Sequence, residues 1–455
     1  MSSQIPELLK KSHHIHFVGI GGSGMFPIVQ ILLSLGYEIS GSDVLESSII
    51  HKERAMGIPV MMGHRAENVD GADMLVVTAA LLPGNPEVER AEELGIPVIQ
   101  RADMLGYLTH LYSDSICISG THGKTTTSAL LTSILVLSGY DPSAVIGGKL
   151  PLIDGYGRAG SSGLFVVEAC EFKDTFLHLS PSWSVILDID DDHLDYFGTV
   201  ANSMSSFRKF AKSASTGIIA NIDDANTVTA LNGLKYISFG EKAGSDYLIY
   251  NVNNEGHEYY SFSILKDDIP FGTFRLNLPG RHNVHNAAAA IAAASELGVS
   301  VDGITKGIES FKGASRRFEM LGTVNGLTIA DDYAHHPTEI EATLSTAKRM
   351  GYNAVWAVFQ PFTYSRTKQH LERFAEVLST VDKAVITPIL GSRETDTLGI
   401  SSEDLAALIP GSYCARNLED AAKYCLENAP KGSLVMTLGC GDVYKCAHLM
   451  LGDSY

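Results

Sequence analysis

Positive charge is scarce in this sequence. Lysine and arginine number 34 among 455 residues, against 52 aspartates and glutamates, which leaves a net charge of −18. That balance excludes a chain whose main task is to wrap nucleic acid, because such a chain needs a basic footprint. It equally disfavours docking on an anionic bilayer. No apolar run approaches the ~18–20 residues of a membrane span, so no membrane insertion is expected. The N-terminal stretch lacks a signal-peptide pattern. Six cysteines (Cys117, Cys170, Cys414, Cys425, Cys440 and Cys446) form no CxxC pair and no framework spacing. They read as reduced core thiols, the expectation for a cytoplasmic protein. Longer repeats and low-complexity tracts are missing too.

Apolar residues and turn formers are plentiful: 45% of the chain is hydrophobic, with 43 glycines and 16 prolines. Short apolar runs alternate with helical stretches in three successive βα series, which predicts an α/β protein of three domains. The expected limits are 1–110, 111–314 and 315–455. Strands are expected at His14–Ile20, Leu164–Glu168, Trp183–Asp188 and Ser433–Leu438, among others, and helices at Met25–Leu35 and Arg281–Leu297. Gly-Ile-Pro-Val occurs at both 57–60 and 95–98, each copy bringing a helix end into a strand. The aromatic and polar alternation between Ser245 and Arg275 predicts antiparallel strands beside the parallel sheet.

Two glycine loops carry the first chemical signal. Gly19, Gly21, Gly22, Ser23 and Gly24 follow a strand and open a helix, an arrangement whose free N–H groups favour a phosphate. Asp43 lies 19 residues after Gly24, where a ribose-binding acid would sit. A dinucleotide, another nucleotide diphosphate and a structural turn all fit this loop. The second loop, Gly120, Thr121, His122, Gly123, Lys124, Thr125, Thr126 and Thr127, would cradle a triphosphate. Lys124 would reach the β and γ phosphates, and the Thr125 hydroxyl would ligate Mg²⁺. Its spacing departs from the general P-loop, since position 118 is isoleucine. A nicotinamide enzyme has no use for this second loop.

Acids and histidines cluster at later strand ends. Glu168 closes an apolar strand, and Glu171 follows three residues on. An acid there can hold the metal of a nucleotide. Asp188, Asp190, Asp191, Asp192 and Asp195 surround His193 in a run that reads as a solvated loop or as a second metal site. His282 and Asn286 stand one helical turn apart and suit an adenine or ribose edge. His335 and His336 adjoin at a strand-to-helix turn and lack the register of helix-borne zinc ligands. Arg366 supplies a cation for a carboxylate or phosphate.

Taken together, the chain resembles the Mur ligases, and among them those that add L-alanine. The resemblance runs from about residue 14 to about 445. It rests on GIGGSGM (19–25), GSD (41–43), NPE (85–87), GTHGKTTT (120–127), EACEF (168–172), DHLDYFG (192–198), GRHNVHN (280–286), SRRFE (315–319), DDYAHHPTE (331–339), YSRT (364–367) and GCGDVYK (439–445). It implies a Rossmann-like domain for the UDP of a sugar nucleotide, a central P-loop-type ATPase domain and a C-terminal Rossmann-like α/β domain. The implied reaction joins L-alanine to the lactyl carboxylate of UDP-N-acetylmuramate through an acyl phosphate, with ATP and two Mg²⁺ ions, for which Mn²⁺ would substitute. A sister activity attaches a recycled tripeptide to the same sugar nucleotide. A monomer or homodimer is expected.

By the same resemblance, the UDP-sugar set is Gly19, Gly21, Gly22, Ser23, Gly24, Met25, Ser42, Asp43 and His64. The ATP set is Gly120, Thr121, His122, Gly123, Lys124, Thr125, Thr126, His282, Asn286, Arg317 and Asp332. Thr125, Glu168 and His193 are the implied metal ligands, with Glu168 shared between the two ions. Lys124, Glu168, His193, Tyr333, His335 and Arg366 are the implied catalytic residues, and Arg316 and Arg317 mark the entry to the third domain. The chain departs from the family's usual pattern at Asp188, where asparagine is common, and at Phe362, where histidine is common. The extra carboxylate of Asp188 is expected to raise Mg²⁺ dependence or affinity. The spacing of a carbamylated lysine found in other Mur ligases falls on Arg208.

Overall fold

The computed structural model describes residues 5–78, 81, 83–254, 259–392 and 394–453. Two compact units divide the chain. The first holds the chain up to Asn251 with Phe262–Arg275 and His285–Phe311; the second holds Val252–Ser261, Leu276–Val284 and the chain from Lys312. Three sheets supply a three-domain α/β architecture.

The first sheet contains β1 (His14–Val18), β2 (Glu38–Asp43), β3 (Val60–Met62), β4 (Met74–Val77) and β5 (Val98–Gln100) in the order β3-β2-β1-β4-β5. Every pairing is parallel. Phe-Val in β1 and Met-Leu-Val-Val in β4 are wholly buried, as strands covered on both faces must be. Helix α1 (Phe26–Ser34) follows the first glycine loop. Helix α2 (Pro86–Leu94) begins at Asn85, whose side-chain oxygen accepts from the amides of Glu87 and Val88, and ends at left-handed Gly95. Helix α3 (Arg101–Leu111) carries Gly106 against the carbonyl of His178, where no Cβ has room.

The second sheet contains β6 (Asp114–Ser119), β7 (Ser143–Leu150), β8 (Gly155–Arg158), β9 (Leu164–Glu168), β10 (Trp183–Ile186), β11 (Gly217–Asn221), β12 (Ile237–Gly240), β13 (Tyr247–Asn254), β14 (Tyr260–Lys266) and β15 (Ile269–Leu276). Their order is β15-β14-β13-β12-β11-β10-β6-β9-β7-β8. β6 lies centrally between β10 and β9, parallel to both, so the loops after all three strands emerge along one edge. β10 stops at Ile186, short of the Asp188 expected, because Asp188 turns away to hold the loop after β6. Helix α4 (Lys124–Leu137) leaves that loop, and the alanine-rich α5 (His282–Glu296) buries every side chain from Ala287 to Ala294. One apolar cluster runs from the first sheet into the second, taking in Ile15, Phe17, Val167, Ile186, Phe207 and Leu231.

In the second unit, β16 (Glu319–Val324), β17 (Leu327–Asp332), β18 (Val355–Phe359), β19 (Lys383–Ile386), β20 (Tyr413–Cys414) and β21 (Leu434–Leu438) order as β16-β17-β21-β18-β19-β20. Only β16–β17 is antiparallel. Separate apolar clusters cover the two faces. Asp332, Leu438 and Phe359 end their strands in register, so the following loops share one edge. No helix among the described residues is long and apolar enough to cross a membrane.

Candidate active site

At the end of β1, Gly19 takes a positive φ of 81°, and its Cα faces Thr78 so closely that a Cβ would lie 2.8 Å from the Thr78 methyl. Ser42 fixes the turn by accepting from the amides of Gly19 and Ile20 through its carbonyl. Asp43 accepts from the Gly21 amide at 3.0 Å with one carboxylate oxygen and from Val44 and Leu45 with the other. The acid therefore holds the loop's shape. Gly22, Ser23 and Gly24 complete the turn, while the Met25 side chain is 1% exposed in the core. Met25 can offer a ligand only its backbone.

Below this loop, Ser42 and His64 of the expected UDP-sugar set meet a buried acid, Glu87, for which the motifs imply no role. Buried Glu87 accepts from Ser42 Oγ (2.7 Å), His64 Nδ1 (2.9 Å) and Asn68 Nδ2 (2.5 Å), and His16 Nε2 stands 3.7 Å away. Burial pushes the Glu87 carboxyl up, but His16, Asn68 and Ser42 outweigh it, and its pKa lies below the ordinary value. Ser42 gives its proton to Glu87, and His64 Nδ1 lies within hydrogen-bond distance of both. The only local signal was NPE itself, an acid in a first helical turn.

The second loop binds itself together through backbone atoms. Gly120 and Gly123 take positive φ values of 151° and 81°, and Asn286 of α5 lies against Gly123 where a side chain would otherwise stand. Lys124 Nζ donates to the carbonyls of Gly120 (2.6 Å) and Thr121 (2.9 Å) and lies 3.0 Å from buried Glu171. Burial opposes the charged form of Lys124, yet Glu171, Cys170 and Glu168 prevail and raise its pKa. Burial also raises Glu171. Thr125 Oγ1 donates to Glu168 Oε1 at 2.9 Å, and the Gly147 amide donates to Glu168 Oε2 at 2.6 Å. Thr126 is buried in the first turn of α4.

The acidic loop after β10 braces these parts. Asp188 Oδ1 accepts from the His122 amide (2.8 Å), and Asp190 Oδ2 meets His122 Nε2 (2.9 Å). Asp188 is thus employed on the loop's backbone, and burial raises its pKa. His193 adopts a left-handed conformation, packs on Phe172 with centroids 4.7 Å apart, and lies 3.8 Å from Glu171. The two acids after β9 therefore divide their partners: Glu168 takes Thr125, and Glu171 takes Lys124 and His193. Sequence reading paired His193 with Glu168 and gave Glu171 no role. The three-residue spacing of the acids was its only trace.

The hard oxygens of Thr125 and Glu168 lie within hydrogen-bond distance of each other, the donor chemistry that Mg²⁺ prefers. They fit the metal that the nucleotide loop implies.

In the second unit, Arg316 donates from Nε to Asp331 (2.9 Å) and from its two terminal nitrogens to the Gly441 and Gly439 carbonyls (3.1 and 2.6 Å). Its guanidinium lies over Tyr333 and Tyr444, and Arg317 lies 5.1 Å above the same Tyr333 ring. Asp332 accepts from the Phe318 and Ala334 amides, and burial pushes its carboxyl up to about 6 against the pull of Arg317. Tyr333 and His335 make an edge contact 5.6 Å between centroids, and His335 pairs with Glu339 at 3.3 Å. Arg366 belongs to the short helix Tyr364–Gln369, close enough to Cys440 for its charge to act on that thiol. His282 folds back over Gly280 at the start of α5.

Comparison with known proteins matches three family models in chain order. Residues 14–113 match the Mur ligase family catalytic domain, 118–294 the Mur ligase middle domain, and 316–441 the Mur ligase glutamate ligase domain. The chain is 42% identical over 447 residues to a UDP-N-acetylmuramate–L-alanine ligase of Alkaliphilus metalliredigens, covering 97% of each chain. A solved UDP-N-acetylmuramate–alanine ligase of Thermotoga maritima superposes with a TM-score of 0.82 at 26% identity, covering 96% of this chain and 98% of that one. A murein peptide ligase of Psychrobacter arcticus shares the fold, with a TM-score of 0.72 at 24% identity over 97% and 98% of the two chains.

Proposed function

The chain belongs to the Mur ligase family, and from that premise we propose how its residues carry out the family's chemistry. It is an ATP-dependent ligase joining L-alanine to the lactyl carboxylate of UDP-N-acetylmuramate. The observation that carries the assignment of residues is the cluster of Lys124, Thr125, Glu168, Glu171 and His193, brought together at one sheet edge from three strand ends.

A carboxylate resists attack by an amine, so the acid must first be activated. The γ-phosphoryl group of ATP passes to the lactyl carboxylate, and the alanine amine displaces phosphate from the resulting acyl phosphate through a tetrahedral intermediate. Each step gathers negative charge, and positioning with electrostatic stabilisation lowers the barrier. Gly120, Thr121, His122, Gly123 and Thr126 hold the triphosphate by backbone and hydroxyl groups. Lys124 is the cation on its β and γ phosphates.

Thr125, Glu168 and His193 would hold Mg²⁺, with Glu168 shared between two ions, and the metal when bound would supply charge stabilisation at the phosphates. Glu171 keeps Lys124 charged and His193 in place beside it. His282, Asn286, Arg317 and Asp332 serve the nucleotide, and Tyr333, His335 and Arg366 the alanine and carboxylate. Gly19, Gly21, Gly22, Ser23, Gly24, Met25, Ser42, Asp43 and His64 serve the UDP-sugar.

Domain limits of 1–110, 111–314 and 315–455 are part of this proposal. We place the enzyme in the cytoplasm as a monomer or homodimer; six cysteines without a framework spacing suit a reducing compartment. The test is phosphate release by purified protein with UDP-N-acetylmuramate and ATP, comparing L-alanine, glycine, L-serine and tripeptide. L-Alanine should stimulate most; no stimulation, or preference for tripeptide, would overturn the assignment.

A further inference from the structure

Arg101 opens α3 and makes no hydrogen bond or ion pair among the described residues. Its guanidinium packs beside Gly24 of the first loop: a Cβ at that glycine would stand 3.4 Å from Nη1 and 3.7 Å from Cζ. The side chain is largely shielded from water, which pulls its pKa below the ordinary value, and Cys170 is the ionisable neighbour whose charge acts on it. A half-buried guanidinium with five donors and no protein acceptor is available to an anion from outside the protein.

We propose that Arg101 is a binding residue for the sugar nucleotide, taking one of its oxyanions at the Gly24 end of the first loop. The proposal rests on the ligase reading above. Two groups share the required chemistry, the diphosphate and the lactyl carboxylate, and both suit the planar fork of arginine. Two further features fit this role. The net charge of −18 leaves few cations to meet an anionic substrate, and the loop's own carboxylate, Asp43, is occupied by backbone amides.

The experiment titrates UDP and UDP-N-acetylmuramate calorimetrically into the wild-type chain, Arg101→Met and Arg101→Lys, with thermal midpoints recorded in parallel. Arg101→Met should weaken binding about 10- to 100-fold, the worth of a charge-assisted contact, with Arg101→Lys in between. Weakening for both ligands assigns the contact to the diphosphate; weakening for UDP-N-acetylmuramate alone assigns it to the carboxylate. The thermal midpoint of Arg101→Met should not fall, since no protein partner is lost, and the KM values for ATP and L-alanine should hold. Binding within threefold of wild type, or weakening matched by a lowered midpoint, overturns the proposal. A wild-type chain that binds neither ligand overturns the ligase reading, and this assignment with it.

Discussion

Neither carboxylate oxygen of Glu53 has a hydrogen-bond partner among the described residues, although the side chain is fully buried. Burial, with a smaller push from Asp43, raises its pKa from 4.5 to about 8. Between those values the native chain keeps a proton that the unfolded chain releases, so stability falls as pH rises through the window. At about 1.4 kcal/mol per unit, the loss amounts to a few kcal/mol by pH 9. Glu53→Met should therefore share the wild-type urea midpoint near pH 5 and exceed it at pH 9; parallel midpoints across that range would sink the idea. Lys124 has the opposite economy, because its charge balances buried Glu171. Lys124→Met should cut phosphate release by about 10³-fold or more. It should also cost about 3 kcal/mol by taking from a buried carboxylate the lysine that balances it. Adding Glu171→Gln should restore the urea midpoint but not the activity.

Helix α3 reverses an ordinary rule about glycine. Replacing a mid-helix glycine by alanine usually gains about 1 kcal/mol. At Gly106 the new methyl would collide with the backbone of His178, so Gly106→Ala should destabilise by about 2 kcal/mol or more, readable by urea unfolding. Helix α2 obeys the ordinary rule: Asn85→Ala removes the cap and should cost about 1 kcal/mol. Legibility in the sequence followed the same division between local and distant causes. The glycine loops, the helix starts and the strand-end acid Glu168 could be read because each depends on neighbours within a few residues. Glu171 and Glu87 could not, because their partners Lys124 and Ser42 lie 47 and 45 residues away. Strand ends slipped for a related reason, as when Asp188 left β10 to hold the His122 amide.

Across the whole molecule, an acidic body must admit two anionic substrates. Self-repulsion should slow their approach at low ionic strength. The association rate of UDP should therefore rise between 10 and 100 mM salt, and a steep fall in stopped-flow traces would contradict this. Removing Mg²⁺ with a chelator should stop phosphate release yet move the thermal midpoint by no more than about 2 °C, because Glu168 and Glu171 already have protein partners. The apolar cluster shared by the first two sheets also has a bearing on how the chain is made. It closes only when residues up to Leu231 have joined Ile15 and Phe17. After the first domain's roughly 110 residues leave the ribosome, some 120 more must follow, which takes about 6–24 s at ordinary synthesis rates. For that interval the outer sides of α1 and α3, which pack against the second sheet and its connections in the finished molecule, stay uncovered, which makes the nascent chain a natural client of ribosome-bound chaperones.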